Sequence, residues 1–473
     1  MTRPLLALSA LWHDAGLAAA ALDRVELTGA DPYLASSFAV GTAAQVASAA
    51  AGACAALIGE ARNGVRQRVA VDLADAAREA CLPFTLDGVA PPTWDKLAGL
   101  YPCRHGAVRV HTNFAHHRDG LLRLLGLPEG EATERAAVAA ALARHEPVEF
   151  EQAATAAGLV VAAVRDFADW DMLPQAAVVA AQPLVAVERI GDAPPRPWPA
   201  LGTADRPLTG LRVLDLTRIL AGPIAGRTLA AFGADVMLVN APHLPNIDAI
   251  ADTSRGKLSA HADLRSAAGR EALGAVLADA DVFMQGYRPG ALAALGFGDE
   301  AVARRRPGIV TASLSAYGET GPWGTKRGFD SLVQSAMGFN LAEGEAARQA
   351  GAVPSGAPRA LPMQVLDMAS GALLAFGIEA ALLRQRQQGG SWAVRVSLAR
   401  TGLWLRSLGR VADGFAVAAA DFGPVLETAP SGFGELVSVR PSVRFSMTPA
   451  GYARESMPPG SHPLAWPQMP QGA

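Results

Sequence analysis

The 473-residue chain predicts an α/β protein, a doubly wound parallel sheet domain joined to a smaller α+β domain. Three observations carry that reading. Short apolar runs of strand length alternate with helical stretches through residues 207–320. A proline-rich break over residues 193–207 separates this part from an N-terminal half of different pattern. The length suits two to three domains, since domains usually run to about 100–200 residues.

The opening Met1-Thr2-Arg3-Pro4, followed by Leu5 and Leu6, has the charged-then-apolar form of a leader, but the apolar stretch soon meets His13 and Asp14, so no cleaved leader is expected. Further on, residues 47–73 and 372–398 share a helix, a glycine and a β-run; Gly64 and Gly389 stand 325 positions apart (389 − 64), as do Leu73 and Leu398. Spacing this long suggests duplication of a large unit and not a solenoid. The segment Ala193-Pro194-Pro195-Arg196-Pro197-Trp198-Pro199 reads as an extended linker. After it, residues 211–216 have a buried-strand pattern, 223–232 a helical one and 234–239 a second strand, which is a βαβ unit. Strand-like runs at 280–284 and 308–314, with helical stretches at 266–277 and 300–305, continue the alternation. The expected division is 1–205, a partial copy with a small domain and linker; 206–400, the sheet domain; and 401–473, a C-terminal helix and tail.

Charge is balanced, with Lys+Arg 41 against Asp+Glu 44, so no broad positive field invites nucleic acid or anionic lipid. Neither is expected as a partner. The apolar runs look too short and broken for the roughly 18 uninterrupted positions of a membrane span. Cys54, Cys81 and Cys103 form no CxxC pair and cannot all pair internally, which suits a reducing cytoplasm. The βαβ turn reads Ala221-Gly222-Pro223-Ile224-Ala225-Gly226 and lacks G-x-G-x-x-G, and the second strand ends at Asn240 where a ribose-binding acid would stand, so a dinucleotide is not expected.

The segments Leu208-Thr209-Gly210-Leu211-Arg212-Val213-Leu214-Asp215-Leu216-Thr217, Ala221-Gly222-Pro223, Ser254-Arg255-Gly256-Lys257, Tyr287-Arg288-Pro289-Gly290, Tyr317-Gly318-Glu319-Thr320-Gly321-Pro322, Arg327-Gly328-Phe329-Asp330 and Leu366-Asp367-Met368-Ala369 occur in this order. Together they resemble the family III CoA-transferases, a group that includes formyl-CoA transferase, carnitine CoA-transferase and the α-methylacyl-CoA racemases. The N-terminal residues 106–126 resemble that family's small-domain segment, which normally follows the catalytic helix and here precedes it. A duplicated gene trimmed at both ends accounts for this order, and the two remnants would rebuild one unit. The resemblance implies a Rossmann-like CoA-binding domain, a homodimer that is interlocked in relatives, acyl-CoA and carboxylic acid as substrates, CoA as co-substrate and no permanently bound cofactor or metal.

Alone, Asp367 reads as the N-cap of an apolar helix over residues 369–383. The family's Asp at this position is instead the nucleophile that carries the acyl and CoA groups in turn. At the 325 offset the N-terminal copy has Thr42 (367 − 325), which implies one functional site per chain. Arg255, Lys257 and Arg288 fall on motifs lining the CoA path, where they would hold phosphates. Gly222, Pro223, Gly226 and Gly290 would let backbone approach the nucleotide. Phe329 stands where racemases have a catalytic His, which disfavours racemisation, and Leu220 stands where formyl-CoA transferases have Gln. Leu220, Phe329, Met363 and Met368 hint at a carbon-rich acid. A CoA-binding but inert or regulatory homologue is the alternative, with the racemase behind it. His105, His111, His116 and His117 lack metal-ligand spacing and read as solvated or capping residues.

Overall fold

The computed structural model describes residues 3–467; Met1, Thr2 and the last six residues of the expected tail lie outside them. Its main sheet has seven strands in the order Lys257–His261, Asp235–Asn240, Arg212–Leu216, Val282–Gln285, Val310–Ser315, Ser391–Ser397 and Ala186–Gly191. All pairs are parallel except the last, where Ala186–Gly191 runs antiparallel to Ser391–Ser397. Side chains alternate between faces, as a two-residue period requires. Val213, Val236 and Val310 enter the larger core, while Leu214, Met237 and Phe283 enter a second core on the other face. Both faces are therefore covered, as in doubly wound sheets. The linker over residues 193–207 has no helix or strand; Arg62 ties it down by donating to the carbonyls of Pro199 and Pro207.

The internal repeat is a structural one. Val40–Asn63 and Val365–Gln388 are both 24-residue helices, offset by 325 at each end (365 − 40 and 388 − 63). They pack against each other at the centre of the molecule. Gly64 and Gly389 close them at positive φ, 72° and 67°, with N–H groups donating to Glu60 and Gln385. Each helix start is held by an aspartate from elsewhere. Asp31 accepts from the N–H groups of Gly41 and Thr42, and Asp330 from those of Leu366 and Asp367, at positions related by the same offset.

The two halves exchange strands. Val69–Asp72 pairs in parallel with Val25–Thr28 and, on its other side, antiparallel with Val443–Phe445 from the C-terminal tail. Reciprocally, Ala186–Gly191 from the N-terminal half closes the main sheet. A small sheet of Gly99–Pro102, Ala107–Val110 and Val161–Ala163 has its own core and belongs to the N-terminal half. The expectation that apolar runs are too short for a membrane span needs correction. Val40–Asn63 and Val365–Gln388 are long and apolar enough by composition, but both are core helices, buried by the protein around them.

Candidate active site

A cleft of about 400 Å³ opens at the carboxyl ends of Arg212–Leu216 and Val282–Gln285. The strand order reverses between these two, and such a switch point is where open α/β sheets bind ligands. Residues 218–222 and 286–289 form one side of the cleft, and Asp367 lies within it. Ile219, in the turn between strand and helix, holds φ at 77°, a strained value for a β-branched residue, costing about 1–3 kcal/mol.

The helix begins at Val365, so Asp367 is in its first turn, and the N-cap is Gln364, which makes no side-chain cap bond. The capping role that Asp367 alone suggests is filled by Asp330. The Asp367 carboxyl accepts no hydrogen bond from the described residues, and it is only 8% exposed. Burial, then the neighbouring Asp330 charge, raises its pKa well above the usual carboxylate range. Asp330 is raised too, chiefly by burial, against the opposing bonds from Asp367 N–H, Gln334 and Leu366 N–H. The two form a coupled carboxyl pair.

Among the sequence-proposed cations, Arg288 borders the cleft and is exposed. Arg255 and Lys257 do not border it. Lys257 is fully buried and donates to Asp215 Oδ2 at 2.9 Å and to the Pro223 carbonyl at 2.9 Å. Burial lowers its pKa, and Asp215 opposes that shift. Arg255 is spent on Asp252 at 2.6 Å, Glu427 at 3.1 Å and the Val439 carbonyl at 2.9 Å, with its guanidinium over Tyr452. The motif puts both cations on a phosphate path, and the structure does not. Their neighbours show them tying strands, helix and tail together.

The glycines divide likewise. Gly222 lines the cleft, packed so close to Thr217 that a Cβ would stand 2.3 Å from the Thr217 Cβ. Gly226 makes room for the buried ion pair: a Cβ there would lie 2.4 Å from Asp215 Oδ2 and 2.7 Å from Lys257 Nζ. Pro223 contributes its carbonyl to Lys257 and does not line the cleft, and Gly290, with φ at 83°, turns the chain directly after the cleft residues Arg288 and Pro289.

Sequence reasoning missed several lining residues. Arg218 and Arg327 also border the cleft, and burial lowers the pKa of both, with the Arg288 charge adding to the shift of Arg327. The N-terminal half supplies Phe114, His116, His117 and Val160. Of the four histidines expected to be solvated or capping, His105 and His116 are exposed, but His111 and His117 are only 5% and 6% exposed, and His111 stacks on Phe329 with ring centroids 4.1 Å apart. Burial, then the charges of His117 and Arg109, lowers His111 to about 3. The small-domain match of residues 106–126 was the signal that would have found them. Leu220 and Phe329 line the cleft, whereas Met368 lines a separate small cavity with Ala44 and Ile224.

Comparison with known proteins covers the same stretch. The model of CoA-transferase family III matches residues 208–412. The "Probable fatty acyl-CoA transferase" of Mycobacterium tuberculosis is 34% identical over 207 residues, 41% of this chain and 50% of that protein. The succinate–glutarate CoA-transferase of Agrobacterium fabrum is 32% identical over 202 residues, 39% of this chain and 48% of that protein. The crystal structure of a CAIB/BAIF family protein from Brucella suis aligns at 26% identity with a TM-score of 0.38, covering 49% of this chain and 65% of that one. The chain thus spans about half the length of the two curated relatives. The family resemblance read from the motifs is found over residues 208–412, the part that carries Asp367.

Proposed function

We propose that this protein is a CoA-transferase that moves CoA from an acyl-CoA to a carboxylic acid through covalent intermediates on Asp367. The observation that carries the reading is the Asp367 carboxyl, which is unbonded among the described residues and lines the same cleft as Arg218, Arg288 and Arg327. Its ionised form attacks the thioester carbonyl, and CoA leaves as thiolate, giving a mixed anhydride. The thiolate then attacks the aspartyl carbonyl, which releases the donor acid and leaves an aspartyl-CoA thioester. The acceptor carboxylate displaces CoA from that thioester to form a second anhydride. Thiolate attack on the acceptor's acyl carbon frees Asp367 and completes the exchange. A carboxylate is suited to this because each difficult displacement becomes two acyl transfers.

The cleft cations support a site for the phosphates of CoA, and the exposed Arg288 is the one that the sequence motif also marked. The walls Leu216, Leu220, Leu244, Phe114 and Phe329 support an apolar acyl group. The cysteines Cys54, Cys81 and Cys103 are all free thiols, which supports a cytoplasmic setting. A screen of acyl-CoA and carboxylic acid pairs, followed by mass spectrometry for new thioesters, tests the proposal. Transfer by the wild type and none by Asp367→Asn is the expected result; transfer by both contradicts it.

A further inference from the structure

His117 lines the cleft together with Asp367, although only 6% of its surface is exposed. Its ring packs edge-on against Phe114 and Phe329 and lies 4.1 Å from the ring of His116. Burial, then the charges of His116 and Arg327, lowers its pKa to about 4, so the imidazole is neutral near pH 7. A neutral imidazole carries one N–H. Its Nδ1 is buried and has no partner among the described residues. Nε2 is the ring nitrogen that is not sealed off, and the tautomer protonated there can donate to a group in the cleft, which Nδ1 cannot. Phe114, Val160 and Phe329 supply apolar wall around the ring, with His116 and Arg327 as its polar neighbours.

We infer that His117 sets acyl specificity, its Nε2–H hydrogen-bonding an uncharged hydroxyl or keto oxygen on an otherwise apolar acyl group beside Asp367. The inference rests on the transferase reading and deepens it. No proton is transferred; the imidazole only donates a hydrogen bond. A hydroxyl or keto oxygen suits a single neutral donor, whereas a carboxylate in this cleft has Arg218, Arg288 and Arg327 to pair with instead. A site built around such a bond rejects an analogue that lacks the oxygen, because its own polar group is then left unpaired. The residue comes from the N-terminal half, so specificity and nucleophile lie on different halves of the chain.

The test compares kcat/KM for 3-hydroxybutyryl-CoA and butyryl-CoA as donors to one common acceptor acid. Wild type should prefer the hydroxylated donor by about tenfold or more. His117→Phe and His117→Leu, which have no donor, should abolish the preference by lowering kcat/KM for the hydroxylated substrate more than for butyryl-CoA. His117→Gln, which keeps an N–H, should retain part of it. Calorimetric affinity for free CoA, unchanged in these variants, reports an intact cleft. Equal kcat/KM for the two donors in wild type, or an undiminished preference in both donor-free variants, overturns the inference while leaving the transferase reading in place. No transfer from any donor, with no covalent adduct on Asp367, overturns both.

Discussion

Lys257→Met should destabilise the fold and leave CoA recognition intact in the molecules that remain folded. The ammonium and its partner Asp215 are both fully buried, 2.9 Å apart. Asp215 also accepts from Thr217 N–H at 2.8 Å and from Thr217 Oγ1 at 2.5 Å, so it stays fixed when the lysine is gone. A buried carboxylate stripped of its partner costs about 3–5 kcal/mol, a large share of the roughly 5–15 kcal/mol by which folded proteins are stable. Urea unfolding should show a lower midpoint at unchanged slope. Adding Asp215→Asn removes the orphaned charge and keeps an acceptor for Thr217, so the double variant should be more stable than Lys257→Met alone, a non-additivity of about 0.5–3 kcal/mol. An unchanged midpoint in Lys257→Met, or folded variant that binds CoA about tenfold more weakly, a loss of about 1.4 kcal/mol, would refute the reasoning and return the lysine to the phosphate path.

Arg288→Ala should weaken CoA about tenfold or more by removing a charge-assisted bond worth roughly 1.5–3 kcal/mol, while Arg255→Ala should lower stability with little effect on CoA affinity; calorimetric titration with unfolding curves separates the two. The wild-type kcat/KM should rise with pH through a value above the usual carboxylate range, since Asp367 acts ionised and its pKa is raised. Burial raises that pKa most and Asp330 adds to it, so Asp330→Asn should move the acid limb part of the way to lower pH; an unmoved limb contradicts the pairing. The fragment 205–473 lacks both the strand Ala186–Gly191 and the helix Val40–Asn63 that covers Val365–Gln388, so it should be insoluble or inactive, and a folded active monomer would contradict the exchange between halves.

The sheet domain was legible because its strands are local and periodic: the runs at 211–216, 234–239, 280–284 and 308–314 correspond to strands Arg212–Leu216, Asp235–Asn240, Val282–Gln285 and Val310–Ser315. Lys257–His261 is not legible locally because Lys257, Ser259 and His261 break its apolar run, and it is defined by its parallel partner Asp235–Asn240. Ala186–Gly191 was missed for another reason. It is an edge strand with no alternation of burial, recognisable only by its long-range partner Ser391–Ser397. Asp367 and Arg288, both marked by motif order, border the cleft. Arg255 and Lys257 were misplaced because a motif marks where a cation recurs and not what it faces; Asp252, Glu427 and Asp215 decide that, and they come from distant segments. The histidine wall was hidden by the same limit, since His111 and Phe329 meet across 218 positions (329 − 111).

Asp367 itself provides the most direct measurement. Wild type incubated with its acyl-CoA and hydroxylamine should acquire a hydroxamate on the Asp367 side chain, located by peptide mass spectrometry, because the reagent captures an activated carboxyl. Asp367→Asn should acquire none, turn over no substrate and still bind CoA. It should also gain stability over wild type as pH rises: the raised folded pKa means that the native state holds its proton more tightly than the unfolded chain, an advantage lost on passing upward through that pKa. Full turnover in Asp367→Asn, or a hydroxamate that never forms on residue 367 while wild type is turning over, would contradict the covalent mechanism.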